Sequence, residues 1–297
     1  MNRHIHLALI QHPCGADRAA NIATTEAAIR EAAAKGAQLI LLQELHTSLY
    51  FCQQEGAATF DLAEPIPGPT TGHFARLAAE LDVVIVASLF ERRAAGVCHN
   101  TAVVLDRQQG LVGQYRKMHI PDDPGFYEKY YFTPGDAAPG FEPIDTSVGR
   151  LGVLVCWDQW FPEAARLMAL AGAEILLYPT AIGWDDNDDT DEQARQREAW
   201  ITVQRGHAIA NGIPLAACNR TGFEADPGAQ GRGIRFWGSS FVAGPQGEIL
   251  SRGPQDAAEI ILATVDMART EQVRRVWPYL RDRRIDAYGD LLKRYRD

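Results

Sequence analysis

The sequence predicts an α/β protein made of one domain. Strand-like and helix-like segments alternate along the chain, and several strands, such as "LILL", "VVIVA" and "EILLY", are almost continuously apolar. Strands of this kind lie in sheets that are covered on both faces, by helices or by a second sheet. Because no Ser-, Gly- or Pro-rich linker divides the chain, we predict a single domain over 1–297, with a polar C-terminal extension at about 277–297.

The first half of the chain begins with a β-α-β unit. The strand-like "IHLALIQ" is followed by an alanine-rich helix that ends at Gly36 and by the buried strand "QLILLQE". The alternation then continues with a helix and two strands, at 70–82, 83–90 and 100–106.

A loop punctuated by Gly and Pro, at 121–140, leads to the second half of the chain. Pro162 suits the first turn of a helix, and Gly212 suits the end of a long helix that begins at about Asp191. The predicted strands and helices of this half are, in order, 150–157, 162–172, 174–181, 191–211, 214–220, 238–244 and 259–266.

Composition and charge exclude several classes of protein. A net charge of -9 and a pI near 5.4 argue against binding to the phosphate backbone of nucleic acids. The apolar run near the N-terminus is too short for a secretion signal, and no later stretch of the sequence is long enough to span a bilayer. Five scattered cysteines, an odd number without the close pairs of a zinc site, are typical of free thiols in a reducing compartment. We therefore expect a cytoplasmic protein that binds neither nucleic acid nor membrane.

Three predicted strand ends carry a reactive side chain. Glu44 follows "LILLQ", Lys117 lies in "GQYRKMHIP", and Cys156 follows "GVLV". Functional groups of open α/β sheets collect just beyond the carboxyl ends of strands. Taken singly, the glutamate and the lysine are typical of a solvated surface and the cysteine of a small core residue. Together they supply a carboxylate, a cation and a nucleophile, which are the groups that thiol-based acyl transfer needs.

The chemistry gives each of these groups a role. A thiol with a pKa near ~8.5 attacks only as the thiolate, so it needs a partner that takes its proton. Glu44 can act as that base in a water-poor site, and Lys117 can stabilise the thiolate. Lys117 and the main-chain N–H of Trp157 are the expected donors to the carbonyl oxygen on which negative charge develops. No metal or cofactor is required.

Three segments of the chain resemble those of the nitrilase superfamily, the carbon-nitrogen hydrolases. They are "LLQELH", "YRKMHIPDDPGFYEKYYFTPGD" and "CWDQWFPEAARLMALAGAEILLYPTAIG". The resemblance implies a four-layer α-β-β-α sandwich, in which Glu44 is the general base, Lys117 the cationic stabiliser and Cys156 the nucleophile. It also implies that Glu128, in "FYEKYYF", is a second acidic residue that orients the site, and that copies of the chain associate into a homo-oligomer.

Further segments resemble the branch of the superfamily that hydrolyses carbamoylated diamines. They are "GHAIANGIPLAACNRTG", "GSSFVAGPQGEIL" and "RDRRIDAY". The expected substrate is therefore a small cationic carbamoylated amine, which yields ammonia, carbon dioxide and the free diamine. Its ammonium requires a carboxylate or an aromatic face several carbons from the nucleophile. The candidates for this role and for the walls of the channel are Trp157, Tyr127, Tyr130, Trp184, Asp185 and Asp186.

The acidic run at 185–192 also has a purely structural interpretation. Thr190 and Gln193 form a capping-box pattern at the start of the long helix, and acidic residues favour helix N-termini.

The residues alone leave other functions open. A nitrilase, an omega-amidase or a decarbamoylase of amino acids would use the same three reactive groups, and the last of these would need paired arginines for a carboxylate. A catalytically silent scaffold would keep the fold to bind a partner. The acidic run favours a cationic substrate, and three reactive groups at strand ends favour an enzyme.

Overall fold

The computed structural model describes residues 3–185, 188–228 and 232–296. Within these ranges the strands form two six-stranded sheets and one three-stranded sheet. The two large sheets pack face to face, and helices cover the outer face of each. The protein is therefore the four-layer α-β-β-α sandwich that the sequence predicts.

The first large sheet is mixed. It contains, in spatial order, β15 (Glu259–Asp266), β1 (His4–Gln11), β2 (Leu39–Leu42), β3 (Val84–Ala94), β4 (Val97–Asp106) and β5 (Gly110–Arg116). The β1–β2 and β2–β3 pairings are parallel, and the other three are antiparallel. β5 therefore runs in the same direction as β2, so the carboxyl ends of these two strands lie at one edge of the sheet.

The second large sheet has a parallel centre. It contains, in spatial order, β14 (Ile249–Arg252), β13 (Phe241–Ala243), β10 (Leu215–Asn219), β8 (Ile175–Thr180), β7 (Gly149–Val153) and β6 (Ile144–Thr146). β7, β8 and β10 run parallel to one another. A separate small antiparallel sheet contains β11 (Thr221–Ala225), β12 (Gly233–Trp237) and β9 (Gly183–Asp185).

The helices supply the two outer layers. α1 (Arg18–Ala34) and α2 (Pro69–Leu81) pack on the first large sheet, and α4 (Pro162–Leu170) and α5 (Thr190–Asn211) pack on the second. The remaining helices are α3 (Glu128–Tyr131), α6 (Met267–Val276) and the 3-10 helices Phe51–Gln53, Ala57–Leu62, Cys156–Trp160, Ile285–Ala287 and Gly289–Leu292. None of the helices in the described part of the chain is long and apolar enough to span a bilayer.

Strand β1 shows how the layers are held together. Leu7 and Leu9 face the second large sheet and share a core with Val153. Ala8 and Ile10 point the other way, into the core beneath α1 and α2. Because successive side chains alternate between two buried faces, the strand is apolar at almost every position.

Strand β7 is shorter than predicted. The strand predicted at 150–157 stops at Val153, and Cys156 instead begins a 3-10 helix. Pro162 occupies the first turn of α4, as predicted.

The ends of the long helix α5 differ in how well they were predicted. Asp189 is its N-cap, with a side chain that accepts a hydrogen bond from the main-chain N–H of Glu192 at 2.8 Å, so the predicted capping by Thr190 was wrong. Gly212 ends the helix with a φ of 58°, as predicted.

Candidate active site

Cys156 lies at the turn between β7 and α4. Its main chain has a φ of 42°, in the left-handed region that non-glycine residues rarely adopt, and its side chain is buried. Strain of this kind persists where the surroundings hold it, and it is common at active sites. Burial and the carboxylate of Glu44 raise the pKa of the Cys156 thiol, and Lys117 only partly offsets them. The resting residue is therefore a thiol.

Glu44 follows β2 where the two large sheets meet. Its main-chain N–H donates to the carbonyl of Thr180 at the end of β8 (3.2 Å), which ties the carboxyl ends of the two strands together. Oε1 of the buried carboxylate accepts hydrogen bonds from Asn100 Nδ2 (2.7 Å) and Lys117 Nζ (2.9 Å). Oε2 has no hydrogen-bond partner among the described residues. One oxygen is thus held in place while the other can accept a proton.

Lys117 directly follows β5 and is fully buried. Its Nζ donates to Glu44 Oε1 at 2.9 Å and to Glu128 Oε2 at 2.6 Å. Burial alone would lower the pKa of this ammonium, but the charges of Glu128 and Glu44 outweigh burial and raise the pKa above its usual value. Lys117 is therefore held as a cation whose charge acts on the Cys156 thiol.

Glu128 begins the short helix α3, inside the segment predicted as a loop. Besides Lys117, its carboxylate accepts a hydrogen bond from the Tyr50 hydroxyl at 2.7 Å. Burial and the nearby charge of Glu44 raise the pKa of Glu128 to about 7, although Lys117 opposes the shift. Burial is the main cause of the raised pKa, and Lys117 offsets it only in part because Glu44 competes for the same ammonium.

Three further residues, none of them among the predicted site residues, support these groups. Tyr50 and Asn100 donate to the two carboxylates, and the buried Arg220 donates to the main-chain carbonyls of Glu44 and Leu45 at 3.0 and 2.9 Å. Arg220 directly follows an apolar strand, the same signal that identified Glu44, and could have been found in that way. Tyr50 and Asn100 carry no motif, so only the folded contacts reveal them.

A cavity of about 520 Å³ opens beside these groups. Cys156 and Glu128 line what we call the cavity floor, whereas Glu44 and Lys117 lie behind the lining, fully buried. The walls are mainly apolar and include Phe126, Trp157, Trp160, Ile182 and Trp237. A cavity of this size and lining suits a small organic molecule.

Charged side chains also line the cavity. We call this set the charged rim: Asp123, Asp185, Asp188, Glu192 and Arg195. The rim contains four carboxylates and one guanidinium, that of Arg195. Because Arg195 pairs with Glu192 at 2.9 Å, the other carboxylates give the rim an excess of negative charge. An excess of negative charge in a concave, largely apolar site attracts a cation.

The predicted substrate residues fall into two groups. Trp157 and Asp185 line the cavity, whereas Asp186 lies outside the described residues. Trp184 does not line it: side chains alternate along β9, so Trp184 points away from Asp185 and packs against Trp237, with ring centroids 5.2 Å apart. The structure corrects the expectation that Trp184 forms the channel wall.

The two tyrosines near Glu128 are also absent from the described lining of the cavity. Tyr130 lies on the outer side of α3, is exposed, and packs against Tyr131 with ring centroids 4.9 Å apart. Tyr127 precedes this helix, and its main-chain N–H donates to the carbonyl of Cys52 at 2.8 Å. The turn of α3 points Glu128 into the site and Tyr130 away from it, which corrects the expectation for Tyr130, whereas the role expected of Tyr127 stays a prediction.

The chemistry of the site follows from this arrangement. In the described ranges no three His, Cys, Asp or Glu side chains are grouped so that they could hold a metal ion. The grouped charges are instead two carboxylates around one ammonium, beside a buried thiol. Such a set can carry an attack by sulfur on a carbonyl carbon with transfer of the thiol proton to a carboxylate.

Comparisons with known proteins agree with this geometry. The chain matches the family model described as Carbon-nitrogen hydrolase over residues 6–275. It is 45% identical over 293 residues to an N-carbamoylputrescine amidase of Solanum lycopersicum, covering 98% of this chain and 96% of that protein. It is 41% identical to a citrullinase of Francisella tularensis, covering 98% and 99%. A crystal structure of a carbon-nitrogen hydrolase from Helicobacter pylori G27 matches with a TM-score of 0.95 at 55% identity, covering 99% of this chain and 100% of that one. The chain therefore belongs to the carbon-nitrogen hydrolase family.

Proposed function

We propose that this protein hydrolyses N-carbamoylputrescine to putrescine, carbon dioxide and ammonia. The observation that carries the proposal is the buried Glu44–Lys117–Glu128 cluster beside Cys156, at the floor of an apolar cavity with an acidic rim. The N-carbamoylputrescine amidase of Solanum lycopersicum, a relative that is named for this reaction, supports the choice of substrate.

We assign acylation to Cys156 and Glu44. Cys156 Sγ attacks the carbonyl carbon of the ureido group while the thiol proton passes to Glu44, whose Oε2 has no partner in the described part of the chain. The new S–C bond places negative charge on the carbonyl oxygen. Because burial keeps the resting residue protonated, the attack depends on this base.

Lys117 and the main-chain N–H of Trp157 are the proposed donors to that oxygen. Glu128 holds Lys117 Nζ at 2.6 Å, and Trp157 lies in the first turn of the 3-10 helix that Cys156 begins. In enzymes of known mechanism, one such donor stabilises the transition state by about 3 to 4 kcal/mol. The intermediate then collapses: the bond from carbon to the terminal amino group breaks, and this group takes the proton from Glu44 and leaves as ammonia.

Water completes the cycle. Glu44 takes a proton from the water as its oxygen attacks the carbon of the thiocarbamate. The C–S bond breaks, the proton returns to sulfur, and the carbamate of putrescine leaves. This carbamate decomposes to putrescine and carbon dioxide, so the protein is regenerated.

The charged rim supports a substrate with a cationic far end. Asp123 and Asp188 supply carboxylates, and Trp157 contributes an indole ring to the cavity lining, where an aromatic face can attract a cation. The apolar wall suits the four methylene groups that separate the ureido nitrogen of N-carbamoylputrescine from its ammonium.

Arg195 favours a second candidate substrate, citrulline. It adds a cation to the rim, where it can meet an α-carboxylate while the acidic residues meet an α-ammonium. The citrullinase relative supports this candidate. Arg195 is already paired with Glu192, however, and this pairing makes the diamine the first choice.

Ammonia release from three ureido compounds tests the proposal. N-carbamoylputrescine, citrulline and an N-carbamoyl amino acid are each incubated with the protein and with Cys156→Ala, and putrescine is identified by chromatography. We expect the highest kcat/KM for N-carbamoylputrescine and no turnover by the variant. A higher kcat/KM for citrulline would select the second candidate, and no ammonia from any compound would contradict the proposed activity.

We also propose that the chain acts as one catalytic domain and that it works in the cytoplasm. Copies of the chain are proposed to assemble into a homo-oligomer, with the segment 277–297 at the interface between subunits. Apolar side chains of this segment are exposed: Trp277, Ile285, Leu291, Leu292 and Tyr295. The five cysteines are unpaired, which suits a reducing compartment. Light scattering of the full chain, with and without Leu291→Ser, tests the assembly: we expect an oligomer that the substitution weakens.

A further inference from the structure

Asp158 is a buried carboxylate that the mechanism above does not use. It lies two residues after Cys156 and is fully buried. We propose that Asp158 is a positioning residue that fixes the ammonium of Lys117 relative to the sulfur of Cys156. The inference deepens the proposed function, on which it rests.

Asp158 holds the chain next to the nucleophile. Its Oδ2 accepts a hydrogen bond from the main-chain N–H of Val155 at 2.9 Å, and its own N–H donates to the Val155 carbonyl at 3.0 Å. These reciprocal bonds close the turn on both sides of Cys156. The strained main chain of Cys156, with its φ of 42°, is kept only if its neighbours are held in this way.

The same carboxylate holds the chain on both sides of Lys117. Oδ2 also accepts a hydrogen bond from the hydroxyl of Tyr115, two residues before Lys117, at 2.9 Å. Oδ1 accepts from the main-chain N–H and from Nδ1 of His119, two residues after Lys117, at 3.1 and 2.7 Å. The His119 ring is itself held by stacking on Phe161, with ring centroids 3.8 Å apart.

Asp158 therefore joins two catalytic segments that come from different sheets. Tyr115 belongs to β5 in the first large sheet, and Val155 follows β7 in the second. Four hydrogen bonds to one carboxylate set the spacing of the segment that carries the cation from the segment that carries the thiol. Since a displacement of about 1 Å can cost about 100-fold in rate, this spacing matters for catalysis.

Asp106 provides a matched control elsewhere in the sandwich. It is also buried and accepts main-chain N–H groups, from Gln108 at 2.9 Å and from Ser147 at 2.7 Å. Like Asp158 it joins the two large sheets, because Ser147 lies between β6 and β7. It stands at the end of β4, which runs opposite to β2 and β5, so it lies at the other edge of the sheets from the active site.

The test compares Asp158→Asn with Asp106→Asn. Asparagine keeps the shape but presents an NH2 group where one carboxylate oxygen accepts two donors. The measurements are kcat and KM for N-carbamoylputrescine, and the pH profile of Cys156 alkylation by iodoacetamide, read by mass spectrometry of the Cys156 peptide.

We expect Asp158→Asn to lower kcat by about 100-fold, as a misplacement of about 1 Å does, with KM little changed. Its alkylation profile moves to higher pH, because the thiolate loses the nearby ammonium. We expect Asp106→Asn to lower the thermal midpoint while kcat and the alkylation profile stay as in the wild type.

Tyr115→Phe keeps the carboxylate and removes one donor, so it decides the question if Asp158→Asn does not fold. We expect a smaller shift of the alkylation profile in the same direction. Equal losses of kcat in the two asparagine variants would overturn the proposal. An unchanged alkylation profile in folded Asp158→Asn, or in Tyr115→Phe when Asp158→Asn does not fold, would do the same. Iodoacetamide needs no substrate, so its result is independent of whether the assigned substrate is right.

Discussion

The two ends of the cavity hold their charges in opposite ways. Behind the floor, Lys117 is fully buried between Glu44 and Glu128, and each carboxylate has a further donor of its own. At the charged rim, Glu192 and Arg195 pair at 2.9 Å with side chains that are 41% and 64% exposed.

The difference in burial determines how much free energy each charged pair contributes. Removing one partner of a buried pair costs about 3 to 5 kcal/mol, because the other charge stays buried and unpaired. Exposed pairs are worth about 0.2 to 1 kcal/mol. We therefore expect the cluster behind the floor to determine the rate of the reaction, and the charged rim to affect only the affinity for the substrate.

Loss of the nucleophile should reduce activity more than any other change. Cys156→Ala and Cys156→Ser should abolish turnover and leave the fold intact, because alanine removes the thiol, serine replaces the sulfur by oxygen, and both side chains fit the space of a cysteine. Ammonia release and circular dichroism measure the two properties. A near-normal rate in either variant would refute the mechanism.

Loss of the proposed base should come next. Glu44→Gln should slow acylation by about 10²- to 10⁴-fold, since proton transfer by a positioned side chain is worth that much. The measurement is the rate at which the covalent Cys156 adduct forms, followed by mass spectrometry, and we expect this rate to fall by that factor. Glu64→Gln is the matched control. Glu64 is another buried carboxylate, which pairs with Arg18 at a distance of 2.8 Å, and neither residue lines the cavity. This variant should still form the adduct.

The buried cation should affect both rate and stability. Lys117→Met should lower kcat by about 10²- to 10³-fold, as the loss of one donor to a developing oxyanion does. It should also lower the free energy of unfolding by about 3 to 5 kcal/mol, because Glu44 and Glu128 then face each other unpaired. Adding Glu128→Gln should recover stability without activity. Wild-type stability of the single variant in urea would show that the buried pair does not hold the site.

The charged rim should respond more weakly. Asp123→Asn combined with Asp188→Asn should raise KM for N-carbamoylputrescine about two- to fivefold, the effect of about 1 kcal/mol or less, and leave kcat unchanged. Salt should reduce the difference. N-butylurea has no ammonium and is the matched substrate, so its KM should not move. A fall in kcat would mean that the rim and the floor are not separate in function.

The pH dependence of stability has a defined sign at Glu128. The pKa of Glu128 is raised to about 7 in the folded protein, above its ordinary value of 4.5, so the folded state binds more protons between these values. Its contribution to stability is fully present below about pH 4.5 and is lost as the pH rises through about 7. Glu128→Gln should therefore gain stability relative to the wild type as the pH rises from 5 to 8, measured by urea unfolding.

Glu91→Gln is the control with the opposite sign. Burial opposes ionisation of Glu91, but hydrogen bonds from Arg116 and Thr101 prevail and lower its pKa. The contribution of Glu91 to stability is fully present above pH 4.5, its ordinary pKa, and is lost only at lower pH. The free energy of unfolding of Glu91→Gln should therefore differ from that of the wild type by the same amount at every pH from 5 to 8. The same pH trend in both variants would contradict the assigned pKa of Glu128.

Burial on both faces made much of the fold predictable. Strands such as β8 and β3 were located because their buried side chains give a clear apolar pattern. The polar helix α6 was missed because only two of its ten residues, Thr270 and Val273, are buried, and they leave no such pattern. The short strands β9, β11 and β12 were missed because three to five residues are too few to show a period.

Residue type and the carboxyl end of a strand are local properties, so the class of fold and the candidates Glu44, Lys117 and Cys156 could be predicted from the sequence. The contacts that hold these three side chains depend on the folded molecule. Arg220 supports Glu44 from 176 positions away, and Tyr50 reaches Glu128 across 78. Such hydrogen bonds depend on how two sheets pack, and no local pattern encodes the distance between residues that meet only after folding.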